Sequence, residues 1–398
     1  MIAIYLSPLY LLACVWVFWR LLQWLGLLSP FFRKKGIRLV TGLLYLFLCV
    51  SPLTAFLLPS GGFRRIMQLF ANYWLGVFLY AVLVLAAAEL AGLLVRLFYK
   101  RRKHPGSRIS LPGLRAAGAL CLGLTLILSG AGIVSALLLR TTRYEITVDK
   151  PVKGLDSLQV VLAADLHIGY NTGCGRMRTM VEEINVLQPD LVVLAGDIFD
   201  NEYEALDNPE ELAAILGSIQ SRYGVYACYG NHDVSEKILA GFTFPQEGEK
   251  ASDPRMDQLL EEAGITLLRD ETVLIDDAFY LCGRADSKKP GRGITVRQTP
   301  EELLENLDLT KPVLVLDHEP EELAELARAG ADVDLSGHTH NGQTFPGNLV
   351  MPFLWENPCG YLEKDGMHSI VTSGVGVFGP NMRLGTTSEI CSIQLTFQ

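Results

Sequence analysis

The 398-residue sequence predicts two architectures in one chain: an N-terminal region of four membrane-length apolar helices, then an α/β domain. Three observations predict this. Four long apolar stretches fall in the first third of the chain. Residues 1–140 hold 15 Lys or Arg and one acid, Glu89, whereas residues 141–398 hold 19 Lys or Arg against 42 Asp or Glu, so the net charge of −9 averages two unlike objects. Within the second object, β-rich runs alternate with helically spaced stretches, and each run closes on Asp, Asn or His.

The apolar stretches lie near residues 2–24, 39–58, 72–95 and 116–139, each close to the ~20 residues that span a bilayer as a helix. The first lacks the basic start and small-residue cleavage site of a signal peptide and reads as a membrane helix. Residues 1–140 are therefore expected to be a transmembrane region. Arg33, Lys34, Lys35 and Arg38 separate the first two stretches, and Lys100, Arg101, Arg102, Lys103 and Arg108 separate the last two. Only Arg64 and Arg65 lie between the second and third. The positive-inside rule puts the two basic loops in the cytoplasm and leaves the acidic domain outside, although Arg140, Arg143, Lys150 and Lys153 after the fourth stretch weaken the asymmetry. Glu89 falls inside the third stretch. Intramembrane acids are costly, so it reads either as functional or as a carboxyl kept neutral or hydrogen-bonded between helices.

The acidic balance of the second part excludes nucleic acid as an expected partner, since backbone phosphates call for clustered Lys and Arg. The eight cysteines form no CxxC pair, and the five in residues 141–398 leave at least one unpaired there; small buried core residues is the plain reading. That unpaired thiol argues mildly against an oxidising location.

Residues 141–157 read as a linker and the strand leading into the domain, which then occupies 158–398. The runs 158–165, 190–197, 224–231, 312–318 and 331–338 read as buried strands ending on Asp165, Asp197, Asn231, His318 and His338. Ligands in α/β folds gather beyond the carboxyl ends of strands, and each of these runs delivers a potential metal ligand there. The polar clusters are Asp165-Leu-His167, Gly196-Asp197-Ile-Phe-Asp200, Gly230-Asn231-His232-Asp233, His318 and Gly337-His338-Thr-His340. Of seven histidines five are here; His104 and His368 are elsewhere. A D-x-H on an extended segment would put both side chains on one side, because strand side chains alternate with period two, and His338 and His340 repeat the pattern. The preceding glycines allow a tight turn beside the ligands. Mixed carboxylate, imidazole and amide donors suit Mn, Fe, Zn or Co better than Ca, and the lack of cysteine argues against a purely structural zinc.

These blocks, in this order, resemble the calcineurin-like metallophosphoesterase superfamily, with its D-x-H, G-D-x-x-D, G-N-H-D/E, H and G-H-x-H motifs, over roughly residues 156–396. SGHTHNGQ (336–343) and TSGVGVFGPNMRLGTTSEI (372–390) resemble its membrane-associated bacterial branch, in which glycine is common where this chain has Asn341. The resemblance implies an α-β-β-α sandwich of two mixed sheets flanked by helices, and two divalent metal ions. One would be held by Asp165, His167, Asp197 and His340, the other by Asn231, His318, His338 and the shared Asp197. Two metals ~3.5–4 Å apart activate a water and clamp phosphoryl oxygens. It further implies that His232 faces the phosphate and assists the leaving oxygen, with Asp200 hydrogen-bonded to His232 to fix its tautomer. For Asp233, structural support of the site and local capping stand level.

Arg383 and Arg176 are candidate phosphate contacts; Arg383 also reads as a surface or structural arginine, and Arg176 follows the D-x-H block, from which its side chain could enter the site. The basic loop 284–293 could favour an anionic head group or be a solvated loop. The expected activity is hydrolysis of a phosphodiester, pyrophosphate or phosphomonoester, with a lipid bilayer and a phosphorylated small-molecule or lipid-linked substrate as partners. The alternative is a non-catalytic membrane sensor or binding protein on the same domain; degenerate domains lose ligands, and this sequence lacks none of the motif residues.

Overall fold

The computed structural model describes residues 2–101, 111–239, 242–244, 251–291 and 293–398. Arg102, Lys103, His104, Arg108 and Arg292 lie outside the described residues. Two compact units divide the chain: the first is built mainly from residues 1–134, and the second begins at Ser135.

The first unit holds α1 (Ile2–Leu28), α2 (Lys35–Leu57), α3 (Gly62–Arg101) and most of α4 (Leu111–Leu137). Each contains a segment long and apolar enough to cross a membrane. The third is longer than the sequence pattern marks, because Arg64 and Arg65 are helical rather than in a loop. Arg64 is buried and donates from Nε to the Ala55 carbonyl at 3.2 Å, fastening the α2–α3 corner. Tyrosine hydroxyls tie α1 to α2: Tyr10 donates to Cys49 O at 2.8 Å and Tyr45 to Cys14 O at 2.9 Å. Glu89 of α3 forms an ion pair with Arg20 of α1. A charge in an apolar layer is tolerable when an opposite charge meets it, so Glu89 is held between helices, by a partner that the hydropathy pattern conceals inside the first apolar stretch.

The second unit is an α-β-β-α sandwich. Its first sheet is built from β1 (Leu139–Val148), β2 (Ser157–Ala163), β3 (Leu191–Ala195) and β4 (Val225–Cys228), with β7 (Ile265–Leu267) and β14 (Ser388–Phe397). Between β4 and β7 the chain forms a two-stranded ribbon, β5 (Lys237–Leu239) and β6 (Phe242–Phe244). The second sheet takes β8 (Glu271–Ile275), β9 (Phe279–Gly283), β10 (Val313–Leu316), β11 (Val333–Ser336), β12 (Gly360–Lys364) and β13 (Met367–Val371). The orders are β1-β14-β2-β3-β4-β7 and β12-β13-β11-β10-β9-β8. Most pairs are parallel; β14–β2, β12–β13 and β8–β9 are antiparallel. The interval 141–157, read as a linker and entry strand, holds most of β1, which pairs with β14 through all ten of its residues, Leu139 opposite Ser388 to Val148 opposite Phe397.

Period-two alternation builds the layers. In β2, Leu158, Val160 and Leu162 enter the core between the sheets, joined there by Leu314, Leu316, Val333 and Leu335. Val161 and Ala163 point the other way, into a second core with α5 (Cys174–Val186), α6 (Pro209–Leu216) and α7 (Pro254–Glu262). A third core lies under α8 (Pro300–Leu304) and α9 (Leu323–Ala329). Strands buried on both faces read as unbroken apolar runs, which is why their ends were visible in the sequence. All eight cysteines are free, and all but Cys49 and Cys359 are buried.

Among the described residues of the basic loop after β9, the basic side chains are spent on ion pairs, although Lys288 stays largely exposed. Arg284 is fully buried, donating to Asp317 at 2.8 Å and to Glu322 at 2.6 Å, while Lys289 meets Glu236 at 2.6 Å and Lys288 meets Glu319 at 2.7 Å. Removing one partner from a buried ion pair strands the other's charge and costs about 3–5 kcal/mol; Arg297, 3.2 Å from Asp317, supplies part of the lost compensation. Arg284→Met is therefore expected to destabilise the second unit by about 3 kcal/mol, read as a lower urea midpoint at unchanged slope.

Candidate metal centre

Strands stop two or three residues short of the polar clusters. β2 ends at Ala163, β3 at Ala195, β4 at Cys228, β10 at Leu316 and β11 at Ser336, so the candidate ligands sit on the loops beyond their carboxyl ends. The extended D-x-H geometry is not what the chain adopts. Asp165 and His167 have φ of 52° and 44°, His338 and His340 have 71° and 49°, and Asp197 has 48°. All five are left-handed, a conformation that Asp, Asn and His reach more readily than most residues. The side chains converge because the backbone coils tightly at each strand end, not because strand positions alternate. Asn341 also has a positive φ, 50°, which accounts for glycine being at home there. At Gly196 (φ 73°) a Cβ would come within 2.5 Å of His318 Nδ1, so that loop passes the imidazole only as glycine.

Two groups of acceptors result. In the first, His167 Nε2 lies 3.0 Å from His340 Nε2, with the rings stacked at 5.0 Å, and His340 Nε2 lies 3.4 Å from Asp165 Oδ1. In the second, His318 Nε2 lies 3.2 Å from His338 Nδ1 and 3.3 Å from Asn231 Oδ1. Asp197 Oδ2 stands between them, 3.7 Å from His167 Nε2 and 3.3 Å from His318 Nε2. His318 Nδ1 donates to the Ala195 carbonyl at 2.9 Å, which leaves a lone pair on Nε2. Nitrogen and oxygen lone pairs thus face one another in a buried space. Such an arrangement fits a cation at each of the two foci. Asp165, His167 and His340, and separately Asp197, His318 and His338, have ligand atoms within 4.8 Å of one another.

Burial raises the Asp165 carboxyl to about 6. Burial also acts to raise Asp197, but the charges of His318 and His232 outweigh it and hold that carboxyl well below the usual range. Burial acts to lower His318, but Asp197, with Asp165 and Asp286, together outweigh it and raise that imidazole, whereas burial lowers His232 to about 4 and His338 to about 3. The carboxylates draw positive charge toward the centre of the cluster.

Backbone amides lock the loops together. The Asp165 oxygens accept from His338 N at 3.1 and 3.0 Å, and Asp197 Oδ1 accepts from His232 N at 2.7 Å. Asp233 accepts from Phe199 N at 2.8 Å and Gly230 N at 2.7 Å, so it joins the Asp197 loop to the Asn231 loop; it supports the site.

Residues 158–342 match the calcineurin-like phosphoesterase family model. The domain belongs to the calcineurin-like metallophosphoesterase superfamily. A transmembrane protein with metallophosphoesterase domain from Danio rerio is 31% identical over 69% of this chain and 62% of its own length. A metallophosphoesterase of Aquifex aeolicus is 29% identical over 65% of this chain and 92% of its own. The UDP-2,3-diacylglucosamine pyrophosphatase LpxG of Chlamydia trachomatis is 24% identical over 52% and 70% respectively. The chain spans less than two thirds of the length of the vertebrate relatives, 62% for both the Danio rerio and Bos taurus proteins.

Within this metallophosphoesterase domain three sequence expectations are corrected. Asp200 does not hold His232. The His232 Nδ1–H donates to Asn201 Oδ1 at 2.6 Å, and Asn201 is itself oriented by donating from Nδ2 to Val234 O at 2.9 Å. Asp200 lies instead 3.6 Å from His167 Nδ1, too far for a hydrogen bond. The reason is the turn after Asp197: Asn201 has φ 61°, which swings its amide under the imidazole. Arg383 is not a phosphate contact; it is fully buried, donating to the carbonyls of Ser373 (2.6 Å), Gly376 (2.8 Å) and Thr387 (3.1 Å) beneath His340. Arg176 is likewise spent on carbonyls, those of Leu137 at 2.8 Å and Val375 at 2.9 Å.

Other neighbours carried no motif signal. Glu319 is buried, with Oε1 3.5 Å from His338 Nε2 and its hydrogen bonds made to Ser287 and Lys288. The Phe378 ring packs 4.9 Å from His232 and 5.8 Å from His167, and Gln343 grips its backbone by two 2.8 Å hydrogen bonds. Asn201→Ala is expected to lower kcat about tenfold to a hundredfold with KM within about threefold, because it frees the His232 ring while leaving the acceptor groups intact; steady-state kinetics with a phosphodiester tests this.

Proposed function

We propose that the chain is a membrane-anchored, metal-dependent phosphoesterase. The observation that carries this reading is the pairing of two buried acceptor clusters about one carboxylate, Asp197, at the carboxyl ends of parallel strands. Asp165, His167, Asp197 and His340 would hold one divalent cation, and Asn231, His318, His338 and Asp197 the other. Bound there, such cations supply Lewis acidity toward phosphoryl oxygens and lower the pKa of water. The chain's own residues do the rest. Asp197 offers one oxygen to both clusters while its other oxygen fixes the His232 backbone. His232, with Nδ1 committed to Asn201, presents Nε2 to hydrogen-bond or protonate a departing oxygen. Phe378 closes one side of the cluster against water.

A sensor that has lost catalysis is the competing reading, and the intact donor set weighs against it. The apolar helices support a lipid or cell-envelope phosphate as substrate. So does the likeness to LpxG, whose name describes cleavage of a diacylated sugar nucleotide. We place the domain on the extracytoplasmic side, a reading supported by the basic residues Arg33, Lys34, Lys35 and Arg38 between α1 and α2.

Full-length protein stripped with a chelator is expected to lose hydrolysis of bis(4-nitrophenyl) phosphate and to recover it with Mn²⁺. Asp197→Ala is expected to fall by about 10³-fold or more and to bind less metal by elemental analysis. Equal rates from parent and variant would overturn the two-metal assignment. For sidedness, a reporter fused after Gln398 that is active only in the cytoplasm would overturn the extracytoplasmic placement.

A further inference from the structure

The segment 345–355, FPGNLVMPFLW, contains no charged residue. Phe345, Leu349, Val350, Phe353 and Leu354 are all exposed, Phe353 by 86%. Other exposed large apolar side chains of the second unit, such as Val186, Leu274, Val296 and Leu309, are scattered along the sequence, and single ones need no explanation. Five within ten residues form a patch.

Most backbone amides under that patch are paired in local turns. Leu349 N donates to Pro346 O at 3.0 Å, Val350 N to Gly347 O at 2.8 Å, Phe353 N to Val350 O at 3.0 Å and Leu354 N to Met351 O at 2.9 Å. A segment that pairs most of its amides locally enters a medium without water at less cost than an open loop does.

Its position names the medium. At its root, Phe345 N donates to Leu384 O at 2.7 Å, and Thr386 Oγ1 donates to Gln343 O at 2.6 Å. The same strip holds the last turn of α4, which belongs to the second unit from Ser135 onward: Ser135 Oγ donates to Thr386 O at 3.4 Å, and Ser388 Oγ to Ala136 O at 3.4 Å. That turn closes a helix apolar enough to cross a bilayer. At the far end of the segment, the Trp355 ring packs 5.1 Å from His338. A run of hydrogen bonds through residues 384–388 therefore links the last turn of that helix to the root of the segment, whose far end reaches the wall of the metal centre.

We infer that residues 345–355 are an interfacial element that seats on the bilayer and presents the metal centre to a phosphate carried by a membrane lipid. The substrate half of this inference rests on the phosphoesterase reading above; the seating on the bilayer does not. Spin labels at Phe353→Cys and Leu354→Cys, with Val186→Cys as the exposed control, are placed in the full chain reconstituted in phosphatidylcholine–phosphatidylglycerol vesicles. The unsubstituted chain gives the background from native thiols. Labels at 353 and 354 are expected to favour oxygen over a water-soluble nickel chelate about fivefold more than the label at 186. Labels at 353 and 354 as open to nickel as the control overturn the inference. In parallel, Phe353→Ser/Leu354→Ser is expected to cut hydrolysis of a vesicle-borne dioleoylglycerol 4-nitrophenyl phosphodiester about tenfold, and that of soluble bis(4-nitrophenyl) phosphate by less than about twofold. Equal loss on both esters, or loss on neither, overturns the substrate half. If the parent chain with Mn²⁺ cleaves neither ester, the hydrolase reading fails, and label depth still decides whether the segment lies in lipid.

Discussion

The carboxylate of Asp197 is the group on which the rest of the domain converges. One oxygen accepts the His232 amide and the other lies between His167 and His318, so loops after three different strands meet at a single side chain. A buried carboxylate is stable only where positive charge or donors surround it, and each surrounding loop is in turn fixed by a neighbour. Asp233 ties the Asp197 loop to the Asn231 loop, and Asp165 ties its own loop to His338. The two sheets bring these loops to one end of the sandwich, and the carboxylates hold them there.

Much of this was legible in the sequence, for a physical reason. Strands covered on both faces are unbroken apolar runs, so the polar residue that ends each run stands out, and a histidine, aspartate or asparagine at five such ends is difficult to assemble by accident. The membrane helices announce themselves by length and hydropathy. Illegible features depend on φ and on rotation about side-chain bonds. That Asn201 rather than Asp200 reaches His232 follows from a left-handed residue one position further along, and adjacent polar residues do not reveal which of them turns inward. Arg383 illustrates the converse: an arginine in a glycine-rich tail resembles an anion contact, yet it is fully buried and its Nη2 meets carbonyls of that same tail.

Charge balance was legible in total but not in detail. The acidic excess of residues 141–398 did not show that the basic loop after β9 would be paired with acids, because the partners Asp317, Glu319 and Glu322 follow β10 and meet it only through the parallel pairing of β9 with β10. Asp317 also accepts the His318 amide at 2.7 Å, so the ion-pair network behind the site reaches the candidate ligand itself. Likewise Arg20 was hidden from composition, since a single charge scarcely changes the mean hydropathy of a helix.

The left-handed backbone at Asp165, His167, Asp197, His338 and His340 has a consequence for how this centre can vary. An L-residue there gives up roughly 1–2 kcal/mol unless it is glycine or one of the short polar types, and β-branched residues fare worst. The backbone therefore filters the amino acids available at these positions before any metal does so. Asp and Asn pass that filter, as does His; Val, Ile and Thr do not. Changes that exchange one permitted type for another alter the donor set on an intact scaffold, whereas changes outside the set unsettle the loop first. Drift at these sites is thus channelled toward altered metal preference rather than toward a featureless pocket.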